Sequence, residues 1–420
     1  MFNISFTLIN KIKRNLFPFY KNKEIQTAFK IMQAGFPSDT IVARFVGGCV
    51  RKHLSDEKIH DIDIATILST EEIKEKFKNT NFKVIDTGLR HGTVTLVSEK
   101  SKFEVTTLRE DVQTDGRHAE VKYINNWQID SERRYFTINA IYLDINGKIF
   151  DPQAGTNDLK NNNVKFIGDP NKRIEEDYLR IIRFIRFKIM YDNKVEPTTN
   201  KVIRLNLNGI KKISKERVLL ELYKILDLKN FLELNVSTDL KDIFKLIFPE
   251  FENLKRLDRL KKICKFSQIN RNLLLASLLI DDKNSHEYFA HKYKISNNIK
   301  NILNLFAENL SLIKENKNYF NKDLEKNIYL HDKKHLIELN ILNYVINTKT
   351  KLEDFSETLK RILKSKNHKF SINGTYLMKH GMEQGSQIGR VLKEIEKEWM
   401  SNNFKISKKR IQELIQNHSH

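Results

Sequence analysis

The sequence predicts an α/β head, a mixed sheet with helices, followed by an all-α remainder. Three observations predict it. Between residues 40 and 151, short runs rich in β-branched residues alternate with polar breaks, as strands do. Beyond Arg173 the apolar residues recur at helical spacing instead. Gly and Pro contribute only 14 and 6 of 420 residues, too few for the many tight turns of an all-β chain.

Taken in order, IVARFVGG (41–48), IHDIDIAT (59–66), KVIDTG (83–88), GTVTLV (92–97) and KFEVTTL (102–108) read as strands, with EEIKEKFKN (71–79) a helix among them. The region around 110–130 reads as flexible. RIEEDYLRIIRFIRFKIM (173–190) reads as a helix, and KERVLLELYKIL (215–226), NRNLLLASLLI (270–280), IKNILNLFAENL (299–310) and RILKSKN (361–367) continue the pattern. Residues 381–386 read as a loop entering a late helix. The domain organisation expected is an N-terminal extension (1–27), a head (28–165), a helical neck (166–225), and a helical body and tail (226–420).

Lys and Arg number 74 against 53 Asp and Glu, a net charge of +21, which attracts polyanions at long range and makes nucleic acid the first partner to consider. Many of these lysines also serve an ordinary solvated surface. Two cysteines, Cys49 and Cys264, exclude a disulfide scaffold and a cysteine-rich zinc module. The longest apolar run, 273–280, is far short of the roughly 18–20 residues of a membrane span. The start, MFNISFTLINKIKRNLF, lacks the charged opening and small-residue cleavage site of a secretory signal. The expected setting is cytoplasmic and reducing, with no membrane and no obligate protein partner evident.

The segment FVGGCVRKHLSDEKIHDIDIAT carries the sharpest chemistry. A strand ending in Gly47-Gly48 frees backbone N–H groups for close approach by an anion, since no Cβ blocks the path. Arg51 follows and can fork onto phosphate oxygens. Asp61 and Asp63 alternate along a strand, so both carboxylates project from one face. Two hard oxygen ligands beside a phosphate cradle suit Mg²⁺ carrying nucleotide phosphates. Gly-Gly is often a plain turn and Asp-x-Asp a solvated surface; their combination on one strand–turn–helix–strand unit points to function. Glu104, in another strand, can join the aspartates as a third acidic group.

These residues resemble a known family. G-G-x-V-R, D-I-D-I-A, F-E-V-T-T-L-R, R-R-x-F-T-I-N-A, D-P-x-x-G-x-x-D-L, I-G-D-P and E-D-x-x-R resemble, in order and spacing, the class II tRNA nucleotidyltransferase/poly(A) polymerase family, and within it the bacterial CCA-adding enzymes. The resemblance covers residues 28–225. It implies a nucleotidyltransferase head, tRNA as partner through its 3′ acceptor end, and ATP and CTP as substrates. In it Asp61 and Asp63 would hold two Mg²⁺ ions for in-line attack of an RNA 3′-hydroxyl on the α-phosphorus. Gly48, Arg51 and Arg134 match positions that contact the incoming nucleotide; Arg183 and Arg186 match family arginines near it, a solvated basic face being their plainer reading. A poly(A) polymerase, an enzyme adding only CC or only A, and a catalytically degraded RNA-binding paralogue are alternatives.

Asp177 and Arg180, in the E-D-x-x-R motif, stand at i and i+3 and are expected to share a helix face. A carboxylate accepts and a guanidinium donates. Cytosine and adenine each offer an amino donor beside a ring-nitrogen acceptor, so such a pair satisfies either, while uracil and guanine present the opposite groups. This is the role the matching pair has in the family; an ordinary intrahelical ion pair is the plainer reading. ISKERVLLEL (213–222) reads as a packing element.

Three positions depart from the family pattern. Lys52 stands where Asp is usual after V-R, Tyr135 where R-R-D-F-T has its Asp, and Lys165 where Arg is common. An acidic residue at 135 would lie near the ribose. His331, Asp332 and His335 lack the further ligands a metal-phosphohydrolase site needs, and Cys49 reads as a small buried residue.

Overall fold

A computed structural model of the chain describes residues 18–88, 92–114, 119–191, 195–266 and 268–418. They fall into two compact units, Met1–Pro249 and Glu250–His420.

The first unit opens with helix α1 (Lys23–Gln33), which begins inside the expected N-terminal extension. The Asn22 side chain caps it by accepting the Glu24 N–H at 2.9 Å, and its apolar stripe Ile25, Ala28, Phe29 and Met32 is buried. Strand β1 (Ala43–Val46) runs into α2 (Gly48–Leu54), and β2 (Ile62–Thr66) into α3 (Thr70–Phe77). Ser69 and Glu72 close a capping box on α3, each side chain accepting the other's backbone N–H. Next come β3 (Lys83–Gly88), β4 (Thr93–Val97), β5 (Lys102–Thr107), β6 (Arg109–Thr114), β7 (Ala119–Tyr123), α4 (Trp127–Glu132), β8 (Tyr142–Leu143), β9 (Ile149–Phe150) and α5 (Gly155–Lys160).

The head sheet has the order β3-β4-β5-β2-β1-β8-β9. β2 and β5 pair in parallel, and the other neighbours antiparallel. A parallel pair needs a long crossover, which α3 and the β3–β4 hairpin supply. Its register sets Asp63 directly beside Glu104. The strands expected at 83–88 and 92–97 are β3 and β4. The run 41–48 shrinks to β1 because Gly47 turns the chain at φ +73, a conformation open to glycine at little cost. Regular structure also fills much of the segment expected to be flexible: β6 and β7 form a separate antiparallel ribbon, and α4 follows.

Helix α6 (Pro170–Glu176) starts at the Asp169 cap, whose side chain accepts the Asn171 N–H at 2.8 Å. The helix expected over 173–190 is in fact two. α6 stops at Glu176, Asp177 is extended (φ −156, ψ 104), and α7 (Leu179–Tyr191) begins after it. Two interactions outweigh the helical periodicity here. Asp177 Oδ1 accepts the Leu179 N–H at 3.1 Å, a local cap. The Tyr178 ring lies over Gly209, where an added Cβ would meet it at 2.0 Å. Helices α8 (Pro197–Asn206) and α9 (Lys215–Leu226) follow, and α9 coincides with its predicted range.

The second unit is helical in its described residues. Residues Leu273–Leu279 are buried all round, as a helix without a polar face must be. The Leu324–Ile346 helix is kinked at Asp332 (φ 69), whose side chain accepts the His335 N–H at 2.8 Å and so caps the second half. A separate small core gathers Leu377, Val391, Ile395, Ile411, Leu414 and Ile415. The loop expected at 381–386 leads into the Gln387–Ser401 helix. Among the described residues no helix is long and apolar enough to cross a membrane.

Candidate active site

The site is assembled on the C-terminal edge of β1 and on the facing residues of β2 and β5. Gly47 turns β1 into α2; a Cβ there would stand 3.6 Å from Asp63 Oδ2, while one on Gly48 would meet open space. The turn therefore lies against one carboxylate and leaves an open approach at Gly48. Asp61 immediately precedes β2 and is exposed; Asp63 is half-buried within it; Glu104, its exposed neighbour on β5, shares its face. Burial and the adjoining Glu104 raise the Asp63 pKa, Asp61 adds to this, and Arg134 and Arg51 oppose it. Like charges crowded at a partly dry spot favour a proton or a cation. Among the described residues no three His, Cys, Asp or Glu side chains converge as a complete metal cage. Mg²⁺, though, is ordinarily held by one or two carboxylates plus substrate phosphates and water, and Asp61 and Asp63 fit that demand.

Arg134 is positioned by a network that sequence reasoning missed. Asp130 is fully buried in α4. It pairs with Arg133 at 2.7 Å and Arg134 at 3.2 Å, and accepts the Tyr142 hydroxyl proton at 2.7 Å. Burial alone would raise the Asp130 carboxyl; Arg134, Arg133 and Tyr142 outweigh it and bring its pKa to about 2. The Arg134 Nε–H also donates to the Tyr142 hydroxyl at 3.1 Å. The i, i+3 and i+4 spacing of Asp130, Arg133 and Arg134 was the available signal.

Arg51 is buried, and helix α7 orients it. Its Nε–H donates to Tyr191 Oη at 2.9 Å, Nη1 donates to Asn139 Oδ1, and the guanidinium lies 4.7 Å over the Phe187 ring. Five N–H donors leave Arg51 capacity for a phosphate oxygen after these bonds.

Two of the three arginines of α7, Arg183 and Arg186, share one carboxylate. Glu221 of α9, almost fully buried, meets Arg183 at 3.4 Å, Arg186 at 2.9 Å and Lys224 at 3.0 Å. Burial would raise the Glu221 pKa, but these three cations hold it below the ordinary carboxylate range. The 213–222 segment is thus more than packing: its Glu221 and Arg217 are electrostatic partners of the nucleotide-site candidates. Asp177 and Arg180 do not share one helix face, because the break between α6 and α7 separates them. Asp177 pairs with Arg217 at 2.8 Å, while Arg180 donates to the Arg173 carbonyl at 2.8 Å and pairs with Glu176. What keeps them adjacent is a backbone bond, the Arg180 N–H donating to the Asp177 carbonyl at 3.0 Å.

The remaining singled-out residues have structural surroundings. Lys165 pairs with Asp158 at 3.3 Å. Cys49 is buried, and burial pushes its thiol up to about 11, far from a reactive thiolate. His335 stacks on Phe306 with ring centroids 5.1 Å apart, and burial lowers the pKa of both His331 and His335.

Residues 43–165 match the family described as the poly A polymerase head domain. The chain is 31% identical over 411 residues to the mitochondrial CCA tRNA nucleotidyltransferase 1 of Danio rerio, covering 92% of this chain and 91% of that protein. It is 30% identical over 387 residues to the CCA-adding enzyme of Lactobacillus helveticus, covering 89% and 92%. It also matches the crystal structure of the Bacillus stearothermophilus CCA-adding enzyme in complex with CTP, with TM-score 0.70, 25% identity, and coverage of 94% of this chain and 97% of that one.

Proposed function

Because this chain belongs to the CCA-adding tRNA nucleotidyltransferase family, we propose that it adds C, C and A to the 3′ end of tRNA from CTP and ATP, without a nucleic-acid template. The observation that carries this reading is the gathering of Asp61, the open Gly47-Gly48 turn, Arg51 and Arg134 around Asp63.

In each cycle the 3′-oxygen of the RNA bonds to the α-phosphorus, the bond to the β-phosphate oxygen breaks, and pyrophosphate leaves. Mg²⁺ held by Asp61 and Asp63 would lower the pKa of that hydroxyl and neutralise triphosphate charge. The chain's own residues bind and align. Gly47 and Gly48 let the triphosphate approach the backbone, and Arg51 and Arg134 donate to its oxygens from rigid supports at Tyr191, Asn139 and Asp130. Glu104 keeps the face beside Asp63 negative. Arg183 and Arg186 add positive potential, since both of them and Lys224 share the carboxylate of Glu221.

Asp177 and Arg180 read the base, Asp177 accepting from the amino group and Arg180 donating to the ring nitrogen. Their ion pairs with Arg217 and Glu176 hold these side chains at the α6–α7 junction. Residues 28–165 act as the head, 166–225 as the neck, and 226–420 as the body and tail that grip the tRNA by shape and phosphate contacts. A cytoplasmic setting belongs to the same proposal, supported by the free cysteines Cys49 and Cys264.

The test is incorporation onto a tRNA lacking its last three nucleotides, each labelled nucleotide supplied singly and together, with and without Mg²⁺. Addition that stops after C, C and A is expected. Long A tails, a stop after CC, or tRNA binding without incorporation would each overturn the reading.

A further inference from the structure

Tyr135 stands where the family pattern has an aspartate, and none of the roles above uses it. Its backbone is locked. The Ile167 N–H donates to its carbonyl at 3.1 Å, and the next residue, Phe136, bridges Phe166. The Phe136 ring packs on Phe184 and Phe187 of α7, with centroids 6.1 and 5.5 Å away. That packing sets the distance between residue 135 and the helix. Across the gap, the Tyr135 ring meets two cations of α7: the Arg180 and Arg183 guanidinium carbons each lie 5.4 Å from its centroid. Arg183 Nη1 also donates to the Tyr135 hydroxyl at 3.2 Å. Arginines one helical turn apart repel each other, whereas an aromatic ring attracts both through its quadrupole.

We propose that Tyr135 is a positioning residue for nucleotide selection, its ring and hydroxyl together setting where the Arg180 and Arg183 guanidinium groups stand when a nucleotide enters. This rests on the reading that Arg180 contacts the incoming base. A carboxylate at this position would engage a guanidinium through its oxygens and offer no ring face. The phenol engages both arginines, and so fixes the spacing between a base-reading group and its neighbour.

The test uses the full chain and a tRNA lacking its last three nucleotides. Steady-state kcat and KM are measured for CTP, ATP, UTP and GTP in wild type, Tyr135→Leu and Tyr135→Phe, with thermal melting followed in parallel. Tyr135→Leu, which loses ring and hydroxyl, is expected to raise UTP and GTP use relative to CTP and ATP about tenfold. Tyr135→Phe, which keeps the ring, is expected to restore selection to within about twofold of wild type while KM rises for both correct nucleotides. Should the leucine variant not fold, Tyr135→Met carries the same expectation. Selection unchanged in the leucine or methionine variant, with only a lower melting temperature, would reduce the ring to packing and overturn the proposal. A wild-type chain that incorporates nothing overturns the nucleotide-addition reading and this proposal with it, a result distinct from selection that survives the substitution.

Discussion

In the head, the acidic residues gather: Asp63 lies beside Glu104 with Asp61 next to it, and burial and these neighbours push its carboxyl up. In the neck, the basic residues gather: Arg183, Arg186 and Lys224 share the single buried carboxylate of Glu221, whose pKa is held down. Around Asp63 two further carboxylates crowd a partly buried one, and around Glu221 three cations face one carboxylate. In the proposed function, a nucleoside triphosphate with its divalent cation brings positive charge to the first place and negative charge to the second. Buried charge is costly unless it is paired, and in the proposed function the bound substrate completes the electrostatics at both places. Asp130 shows the contrast within the head itself. It faces Arg133, Arg134 and the Tyr142 hydroxyl, its charge is fully answered, and its pKa falls to about 2. The same residue type serves as scaffold in one place and, in the proposed function, as a metal-holding group in the other.

The largest expected effect breaks the acidic side of this comparison. Asp63→Ala should lower single-turnover incorporation by about a thousandfold or more, because it removes a carboxylate proposed to hold the metal. Affinity for tRNA, measured by filter binding, should change little; a matching loss of tRNA binding would mean that Asp63 supports the fold instead. Removing the divalent ion with a chelator should reproduce the loss and be reversed by Mg²⁺.

The basic side breaks through its one carboxylate. Glu221→Ala leaves Arg183 and Arg186 without their shared partner and should cost about 3–5 kcal/mol of unfolding free energy, as breaking a buried pair does. Denaturant unfolding at neutral pH reads this directly.

Asp130 sharpens the contrast by its pH dependence. Its folded pKa is depressed from 3.8 to about 2, so its contribution to stability is present above the unfolded value and is lost as pH falls from about 4 toward 2. Asp130→Asn should remove about 2 kcal/mol at pH 7 and little at pH 2. Unfolding midpoints across that range check the sign: a variant equally destabilised at both ends would locate the effect in packing.

An effect of similar size is expected on selection. Arg180→Ala or Asp177→Ala should each cost the correct bases about 1–3 kcal/mol of discrimination, read as UTP and GTP incorporation against CTP and ATP. Wild-type preference in both variants would remove base reading from the α6–α7 junction.

Much of this was legible in the sequence. Period-2 runs located β1 to β5, and the helical period located α9 and the helices at Arg271–Leu279 and Asn297–Glu315, because amphipathic patterning is a local property of the chain. Gly47, Asp61 and Asp63 were legible too, since a glycine-terminated strand and alternate carboxylates carry their chemistry within a few residues. Tertiary structure decided the rest. The α6–α7 break came from the Asp177 cap and the Tyr178–Gly209 packing, which outweigh a continuous helical period. Glu104 meets Asp63 only because β2 and β5, far apart in sequence, pair in parallel. The partners of Arg51, Arg183 and Arg186 lie at Tyr191 and Glu221, separated from them by 140, 38 and 35 positions along the chain. Charge balance in a buried site depends on which side chains the fold brings within a few ångströms, and spacing along the chain does not encode that distance.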